Sequence, residues 1–305
     1  MRIAVIGAGA MGSIYGGRLS LQNEVYLVDT NAQVVESVNK NGLILEEGGE
    51  DHVYYPKAVT DTTGLPPMDL VILFVKALFS RAALSGNKGL IGPDTYVLTL
   101  QNGSGHEDIL SEFVPEDHIV IGTTEDNGAV LGFGHIRHGG EGNTNLGMLC
   151  PDKEGMLEKM KECFDACGFK VKIHDNIQQL IWNKMFTNVS LSALTGVLQV
   201  KMGYIASNEY AWTITQQLVR EAAAVARGLG LQADDEELIE KVRHTSVESP
   251  EGVTSICADL RDGRKTEVDT ISGSVVRASK KCGVPAPSHE LIVNLIHAME
   301  GRPKA

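Results

Sequence analysis

The chain has 305 residues, enough for two domains of about 100 to 200 residues each. Hydrophobic residues make up 43% of it, as in ordinary globular proteins with a substantial core. The formal net charge is −12, from 27 Lys and Arg against 39 Asp and Glu. Such a surface repels phosphate backbones and anionic lipid, so we expect neither nucleic acid nor a membrane as a partner.

The five cysteines form no Cys-x-x-Cys pair, and their number is odd. This pattern is typical of reduced cysteines in a cytoplasmic protein. Cys163 and Cys167 lie one helical turn apart, but no histidine cluster accompanies them, so we expect no metal site. The longest apolar stretch, at residues 70–75, is far shorter than the roughly 20 residues of a membrane span. We therefore expect a cytoplasmic protein without a membrane segment.

The first half of the chain alternates short apolar runs with helical patterns. The runs are rich in Val, Ile and Leu and lack in–out alternation, so they predict buried strands at residues 2–6, 25–28, 70–75, 96–100 and 119–122. Strands that alternate with helices indicate an α/β, Rossmann-type, doubly wound parallel sheet. Farther along, the pattern predicts an antiparallel pair within 129–149, a helix at 151–167 and a strand at 170–174.

After Asn176 the pattern is helical almost throughout. One apolar stripe steps by three or four residues and predicts a helix; it comprises Ile214, Leu218, Ala222, Val225 and Leu229. Further helices are predicted at residues 235–246, 252–262, 267–282 and 288–300. The sequence thus predicts a dinucleotide-binding domain at 1–175 and an all-α domain at 176–305 that supplies substrate-binding and catalytic groups.

A glycine-rich segment follows the first predicted strand and opens a helix. It consists of Gly7, Ala8, Gly9, Ala10, Met11 and Gly12. In a dinucleotide-binding fingerprint the first glycine permits a tight turn, the second lets the backbone approach a pyrophosphate, and the third lets the helix pack on the strand. The pyrophosphate then lies at the N-terminus of the helix. The segment predicts an NAD(H) or NADP(H) site, although a purely structural glycine turn can show the same pattern.

Asp29 ends the second predicted strand at the spacing of the acid that binds ribose hydroxyls. A carboxylate there repels a 2′-phosphate, and Thr30 offers no positive charge to neutralise one. This favours NAD(H) over NADP(H). The alternative is that Asp29 only caps the next helix.

Lys184, Asn188 and Ser192 are spaced i, i+4, i+8 and would share one face of a helix. Lys184 lies in an otherwise apolar segment, so we expect its side chain to be buried at a cleft, where it could donate a proton. The alternative is a lysine at the domain edge whose charged end extends into solvent.

Two more polar groups stand out. Lys76 and Asn102 follow predicted strands at their carboxyl ends, where open parallel sheets bind ligands, although Asn-Gly is also a common turn. Thr254-Ser255 precedes a charged run at residues 263–269, which by itself would indicate a solvent-exposed connection.

Taken in order, these segments resemble the ketopantoate reductase family over nearly the whole chain. The resembling segments are the glycine-rich segment, Val75-Lys76-Ala77, Gln101-Asn102-Gly103, Gly122-Thr123-Thr124 with Ile136-Arg137-His138, Trp182-Asn183-Lys184 with Asn188, and Thr254-Ser255, Asp259, Gly263-Arg264 and Thr266-Glu267-Val268-Asp269. Each segment alone is of moderate specificity, and their order and spacing together are specific.

The resemblance implies roles for individual residues. Lys184 would be the catalytic general acid, and Glu267 would bind and orient the substrate. Ser255 and Asn188 would contact the substrate, and Asn102 and Lys76 would lie near the junction of cofactor and substrate. This suits hydride transfer to a 2-oxo carbon, because an ammonium stabilises the alkoxide and delivers its proton.

The sequence also departs from the family. Ser192, Met202 and Gly252 stand where the family has asparagines that bind substrate, so Ser192 would make a reduced substrate contact. Asp29-Thr30 differs from the basic residue that accompanies the family's usual NADPH preference. Both departures leave the identity of the 2-oxo acid and of the nicotinamide open.

The function predicted first is reduction of 2-dehydropantoate, or another 2-oxo acid, to the (R)-2-hydroxy acid by NAD(P)H, in pantothenate synthesis if the substrate is 2-dehydropantoate. One alternative is an NAD-dependent D-2-hydroxyacid dehydrogenase that acts on another branched 2-oxo acid. The other is a dinucleotide-sensing protein without turnover, which would have no need of Lys184 and Glu267. The partner is a small molecule; a homodimer is compatible with the resemblance, and the oligomeric state stays open.

Overall fold

The computed structural model describes residues 1–302. The chain forms two compact units. The first comprises Met1–Gln101 and His106–Ile177, and the second comprises Asn102–Gly105 and the chain from Gln178 onward.

The first unit contains twelve strands in two sheets. The strands are β1 (Arg2–Ile6), β2 (Glu24–Val28), β3 (Leu43–Glu47), β4 (Glu50–Tyr54), β5 (Lys57–Val59), β6 (Leu70–Leu73), β7 (Tyr96–Thr99), β8 (Ile119–Thr124), β9 (Asn127–Gly132), β10 (His135–Gly140), β11 (Asn143–Gly147) and β12 (Lys170–Ile173). The helices of this unit are α1 (Ala10–Leu19), α2 (Ala32–Asn41), α3 (Ser80–Gly86), α4 (Glu107–Leu110) and α5 (Met156–Asp165).

The main sheet has eight strands in the order β12-β11-β8-β7-β6-β1-β2-β5. Every neighbouring pair is parallel except β8 with β11. The apolar runs that predicted central strands are indeed buried; Ile3, Val5 and Ile72 have no exposed surface. The predicted Rossmann-type parallel sheet is therefore confirmed, with one antiparallel addition.

A second sheet, in the order β4-β3-β10-β9, was not predicted as a sheet. The antiparallel pair expected within residues 129–149 is β9 with β10, and β11 joins the main sheet instead. Strands β3 and β4 were missed because β4 is mostly exposed and carries Glu, Asp and His, so it shows neither an apolar run nor a clear alternation.

The second unit is helical. After α6 (Ile177–Thr187) comes a π-helical turn (Asn188–Ser192), followed by α7 (Ala193–Leu198), α8 (Met202–Ser207), α9 (Glu209–Gly228), α10 (Asp235–Glu248), α11 (Ser255–Arg261), α12 (Ser272–Cys282) and α13 (Pro287–Glu300). No helix in the part of the chain that the structure describes is long and apolar enough to cross a membrane.

Several predicted helix bounds need correction. The helix expected at 151–167 begins at Met156, because the Asp152 carboxylate accepts hydrogen bonds from the Met156 and Leu157 backbone and ends the preceding loop. The helix expected at 267–282 begins at Ser272. On α9 the centre of the predicted stripe is buried, but Ile214 and Leu229 are 42% and 40% exposed.

A buried charged cluster joins the two sheets of the first unit. His138 on β10 has a side chain only 2% exposed, and its ring nitrogens lie 2.9 Å from Asp126 Oδ1 and 3.1 Å from Glu47 Oε1. Both neighbours are carboxylates, which accept only, so both ring nitrogens must donate. The bond with Asp126 raises the pKa of His138, and Glu47 adds to this, while burial opposes it. The Arg18 guanidinium at the end of α1 lies 2.7 Å from Glu47 Oε1.

We expect His138→Gln to lower the free energy of unfolding by about 2 to 4 kcal/mol at pH 6, because the buried Asp126 carboxylate loses its cationic partner and Glu47 loses one of its two. A pKa raised by folding gives stability that is complete below the unfolded value of about 6.5 and is lost as the pH rises through the folded value. The difference between wild type and variant should therefore shrink between pH 6 and pH 9. Denaturant unfolding at several pH values tests this, and a difference that does not change with pH would contradict it.

Candidate active site

The glycine-rich segment is shaped by two close backbone approaches. Gly7 has φ +104°, and its N–H donates to the Val28 carbonyl at 2.8 Å. A Cβ added at Gly12 would lie 1.8 Å from the Gly7 carbonyl oxygen. Only glycine fits at either position, because Gly7 needs a left-handed turn and Gly12 needs contact between α1 and the end of β1.

Gly9 has a different reason to be glycine. An added Cβ there would meet no atom within 4 Å, so packing does not require its absence. Gly9 is the N-cap of α1, and no side chain caps that helix. The first N–H groups of an α-helix have no partner within the helix, and they attract anions. The open space beside Gly9 at this helix end therefore fits a pyrophosphate.

Asp29 holds the glycine-rich segment from the end of β2. Its Oδ2 accepts a hydrogen bond from the Ala8 backbone at 2.7 Å, and its Oδ1 accepts one from the Asn31 backbone at 2.8 Å. The cap of α2 is Asn31, whose side chain accepts from Gln33 N. The alternative role of Asp29 as the cap of that helix is therefore wrong.

A cleft of about 460 Å³ opens beside Asp29, at the carboxyl ends of β1, β2, β5 and β6 and against α3. Its volume lies within the range of small-molecule sites, about 300 to 1,000 Å³. The lining residues are Ile6, Gly7, Val28, Asp29, Thr30, Thr60, Asp61, Thr62, Val75, Phe79, Ala82, Ala83, Gly86 and Asn87. Two of these are acidic, and among the described residues that line the cleft none is Lys or Arg.

Gln101, for which the sequence analysis predicted no separate role, connects two loops at this sheet edge. It is buried, its Nε2 donates to the Val75 carbonyl at 2.6 Å, and its Oε1 accepts from Thr99 Oγ1 at 2.8 Å. These bonds fix the loop that carries the half-buried Lys76. A glutamine directly after a buried strand is the only sequence signal that could have indicated this.

Lys184 lies on α6 and is exposed, so the expectation that its side chain is buried is wrong. The apolar neighbours that suggested burial lie on a different side of α6 from Lys184. Trp182, Met185 and Phe186 are buried in the core of the second unit. The lysine occupies the opposite side of an amphipathic helix.

The π-helical turn changes the predicted alignment of polar residues. Asn188 opens the turn and is half-buried, whereas Ser192 closes it and is 5% exposed. A π-turn contains one more residue than an α-turn, so the i, i+4, i+8 spacing does not place Lys184, Asn188 and Ser192 on one stripe. Such turns are frequent at functional sites, and Ser190 Oγ, which donates to the Phe186 carbonyl at 2.8 Å, lies within this one.

Ser255 lies at the start of α11, and Glu267 lies after its end. Ser255 is its exposed first residue, while Thr254 caps it and shares a 2.7 Å hydrogen bond with Thr195. Glu267 is half-buried, and its carbonyl accepts from the backbone of Ile271 in the turn before α12. This turn takes the place of the first residues of the helix predicted at 267–282, which begins at Ser272.

Glu300, which sequence reasoning missed, anchors the segment before Glu267. Its side chain is 2% exposed and accepts from Thr266 N at 2.8 Å and Thr266 Oγ1 at 2.7 Å. Burial acts to raise its pKa, but the Thr266 bonds, with His297 and Lys265, hold the pKa of Glu300 at about 2. Glu300 and Thr266 are 34 residues apart, and no pattern in the sequence predicts their contact.

The loop with Asn102 contacts the same turn. Gly103 has φ +100°, and a Cβ there would lie 2.0 Å from the Thr270 carbonyl oxygen. The Ser104 backbone donates to that oxygen at 3.0 Å. The structure thus brings the segment of Asn102, which is exposed, together with the segment of Glu267 within the second unit.

Two family models match the chain in succession. The model described as "Ketopantoate reductase PanE/ApbA" matches residues 3–150, and the model described as "Ketopantoate reductase PanE/ApbA C terminal" matches residues 176–300. The chain belongs to the ketopantoate reductase family. The resemblance found in the sequence is confirmed, and with it the class of oxidoreductase.

Similar proteins extend over the same length. The 2-dehydropantoate 2-reductase of Pyrococcus horikoshii is 32% identical over 98% of each chain. That of Lactococcus lactis is 32% identical over 100% of each chain. A ternary structure of D-mandelate dehydrogenase with NADH and anilino(oxo)acetate is 33% identical, with a TM-score of 0.88 and 98% of each chain covered. A ketopantoate reductase from Ralstonia eutropha is 28% identical, with the same TM-score and coverage.

Two of the positions where this ketopantoate reductase family member lacks the expected asparagine are in contact. The Met202 backbone donates to the Gly252 carbonyl at 2.9 Å, and a Cβ at Gly252 would lie 2.1 Å from Met202 Cε. The methionine side chain thus fills the space that a side chain at 252 would need. The two departures are therefore neighbours in the structure, and a side chain at position 252 would require the end of Met202 to move.

We expect Gly252→Ala to lower the free energy of unfolding by about 1 to 3 kcal/mol, because the new methyl would displace the end of Met202 and lie 3.0 Å from the Ser249 carbonyl oxygen. In the double change Met202→Ala, Gly252→Ala the cost should be less than the sum of the single costs by at least about 0.5 kcal/mol. Denaturant unfolding of the four proteins measures this coupling. The control is Gly89→Ala, where a Cβ meets no atom within 4 Å. Additive single costs would show that the two residues do not constrain each other.

Proposed function

We propose that this protein reduces 2-dehydropantoate to (R)-pantoate with a reduced nicotinamide dinucleotide, in the cytoplasm. The observation that carries the proposal is the match of two reductase family models to both parts of the chain, with full-length relatives named 2-dehydropantoate 2-reductase. These matches favour the reductase over the dehydrogenase and sensor alternatives. A homodimer is compatible with this function.

In this proposal residues 1–175 bind the cofactor and residues 176–305 supply the groups that act on the substrate. Gly7, Gly9 and Gly12 accommodate the pyrophosphate, and Asp29 binds a ribose. A bound reduced nicotinamide supplies the hydride that converts the 2-oxo carbon to an alcohol carbon. Lys76 lies at the sheet edge that faces ligands in such folds.

Lys184 supplies the proton in this scheme. Its ammonium stabilises negative charge on the oxygen at C2 and donates a proton to it. The Glu267 carboxylate accepts a hydrogen bond from a substrate hydroxyl and orients the substrate. Asn188, Ser255 and Asn102 donate further hydrogen bonds to the substrate. Ser192 contributes least, because it is buried.

We expect Lys184→Met to lower kcat by about 10²- to 10⁴-fold, which is the usual contribution of a general acid. Binding of the cofactor should stay nearly unchanged, because the cleft at Asp29 is formed by the first unit. Steady-state kinetics with a fluorescence titration of the cofactor measures both. The matched control is Lys241→Met, which removes a lysine that donates to the Asn183 carbonyl next to Lys184. If Lys184→Met kept kcat within about tenfold of wild type, Lys184 would not be the general acid.

We propose that the cofactor is NADH rather than NADPH. Asp29 and Asp61 both line the cleft, and the described lining lacks a positive charge, so a 2′-phosphate would meet repulsion without compensation. The neighbouring D-mandelate dehydrogenase structure contains NADH.

Tighter binding of NADH than of NADPH is therefore expected in the unmodified protein. The double change Asp29→Asn, Thr30→Arg should shift the preference toward NADPH, because it removes a charge, retains an acceptor for Ala8 N and adds a cation. Thr30→Arg alone is the control for the added cation. A tighter complex of the wild type with NADPH, measured by the same titration, would reject this assignment.

The altered positions 192, 202 and 252 determine how strongly the substrate hydroxyl is selected. A site built to bind a hydroxyl rejects an analogue that lacks it by about 10⁴- to 10⁵-fold. With Ser, Met and Gly at these positions we expect weaker discrimination. The kcat/KM values for 2-dehydropantoate and 2-oxoisovalerate should differ by less than about a thousandfold. Nicotinamide absorbance with a panel of 2-oxo acids tests this and the function together. No turnover of any 2-oxo acid would reject the function, whereas a larger preference for 2-dehydropantoate would reject only the argument from the three positions.

A further inference from the structure

The cleft beside Asp29 is lined by a second acidic residue, Asp61, which lies in the connection that follows β5. Strands β2 and β5 are parallel neighbours, with Val28 paired to Val59. Asp29 and the segment from Thr60 to Thr62 therefore leave the sheet side by side at its carboxyl edge, and both line the cleft. If Asp29 binds the ribose of the cofactor, the base attached to that ribose lies within reach of this segment.

The Asp61 carboxylate is held in place by the residue two positions later. Its Oδ1 accepts hydrogen bonds from Thr63 N at 2.9 Å and from Thr63 Oγ1 at 2.7 Å. Both bonds from Thr63 end on Oδ1, and a carboxylate has about four lone-pair sites on its two oxygens, so Asp61 can accept a further donor. The Thr63 hydroxyl, with its backbone N–H, also lowers the pKa of Asp61, so the group is a carboxylate near neutral pH.

The part of the cleft lining around α3 is apolar and is hydrogen-bonded to the Asp61 segment. Phe79, Ala82 and Ala83, from the start and the middle of α3, form this wall. Thr62 Oγ1 donates to Asn87 Oδ1 at 2.8 Å, and Asn87 Nδ2 donates to the Ala83 carbonyl at 2.8 Å. A flat aromatic base fits against such a wall with its edge toward a polar residue.

We infer that Asp61 recognises the exocyclic amino group of the adenine of the dinucleotide and so selects adenine over 6-oxo purines. The inference rests on the proposed function, because it takes a nicotinamide dinucleotide as the ligand. A carboxylate only accepts hydrogen bonds, and the 6-amino group of adenine donates them. Hypoxanthine carries an oxygen at the same position, which would face the carboxylate as a second acceptor.

The test compares NADH with nicotinamide hypoxanthine dinucleotide in its reduced form, which carries a 6-oxo group and an N1–H in place of the 6-amino group and the unprotonated N1 of adenine. Dissociation constants are measured by fluorescence titration of the purified full-length protein, without turnover. We expect wild type to bind NADH about tenfold more tightly than the hypoxanthine analogue, the size of one hydrogen bond to a charged group. Asp61→Asn should reduce this ratio to within about threefold, because an amide can also donate to the 6-oxygen.

Two further variants complete the design. Asp61→Ser removes the charge and the side-chain reach, and it should also reduce the ratio. Asp94→Asn makes the same charge change at an exposed position outside the cleft, and it should keep the wild-type ratio. Equal binding of the two dinucleotides by wild type would overturn the role of Asp61, and so would an unchanged ratio in both Asp61 variants. Neither result would affect the proposed function. Failure of wild type to bind either dinucleotide would overturn the proposed function with it.

Discussion

The close contact between α1 and the end of β1 is the constraint on which the first unit depends. Gly12 has no room for a side chain, because the Gly7 carbonyl occupies the place of its Cβ. Because α1 lies so close to the end of β1, it packs on the main sheet and also contacts the second sheet. Tyr15 forms a 2.6 Å hydrogen bond with Thr144 on β11, and Arg18 forms an ion pair with Glu47 on β3. One backbone contact therefore sets both the conformation of the glycine-rich segment and the packing of α1 against the two sheets.

The residues that shape the candidate site are held mainly by backbone contacts. Asp29 binds the Ala8 backbone, Gln101 binds the Val75 carbonyl, and the Gly103 loop is pressed against Thr270. Backbone contacts of this kind tolerate sequence change elsewhere, which explains how relatives at about 30% identity share the fold over the whole length. Specificity can then change at side chains such as Met202, whose end lies where a side chain at position 252 would be.

The sequence predicted the elements that follow simple periodicity, and it failed where tertiary contacts decide. Buried strands such as β1 and β6 are continuous apolar runs, and the glycine-rich segment lies directly between a strand and a helix as its pattern predicts. Strand β4 was missed because its pairing with β3 depends on neighbours and not on an apolar pattern of its own. The periodicity left both burial and exposure of Lys184 open, because an apolar helix segment does not reveal which side faces the core, and the lysine is exposed. The π-helical turn likewise has no sequence pattern, since it depends on packing around α6 and α7.

The central claim is direct transfer of hydrogen from a nicotinamide dinucleotide to C2 of a 2-oxo acid. It is tested by a single turnover of 2-dehydropantoate with NADH that carries deuterium at C4, in separate samples labelled on each face of the ring. The account predicts pantoate with one deuterium at C2 from one of the two labels and none from the other. Oxidation of the dinucleotide without deuterium in pantoate from either sample, or no pantoate at all, would contradict it.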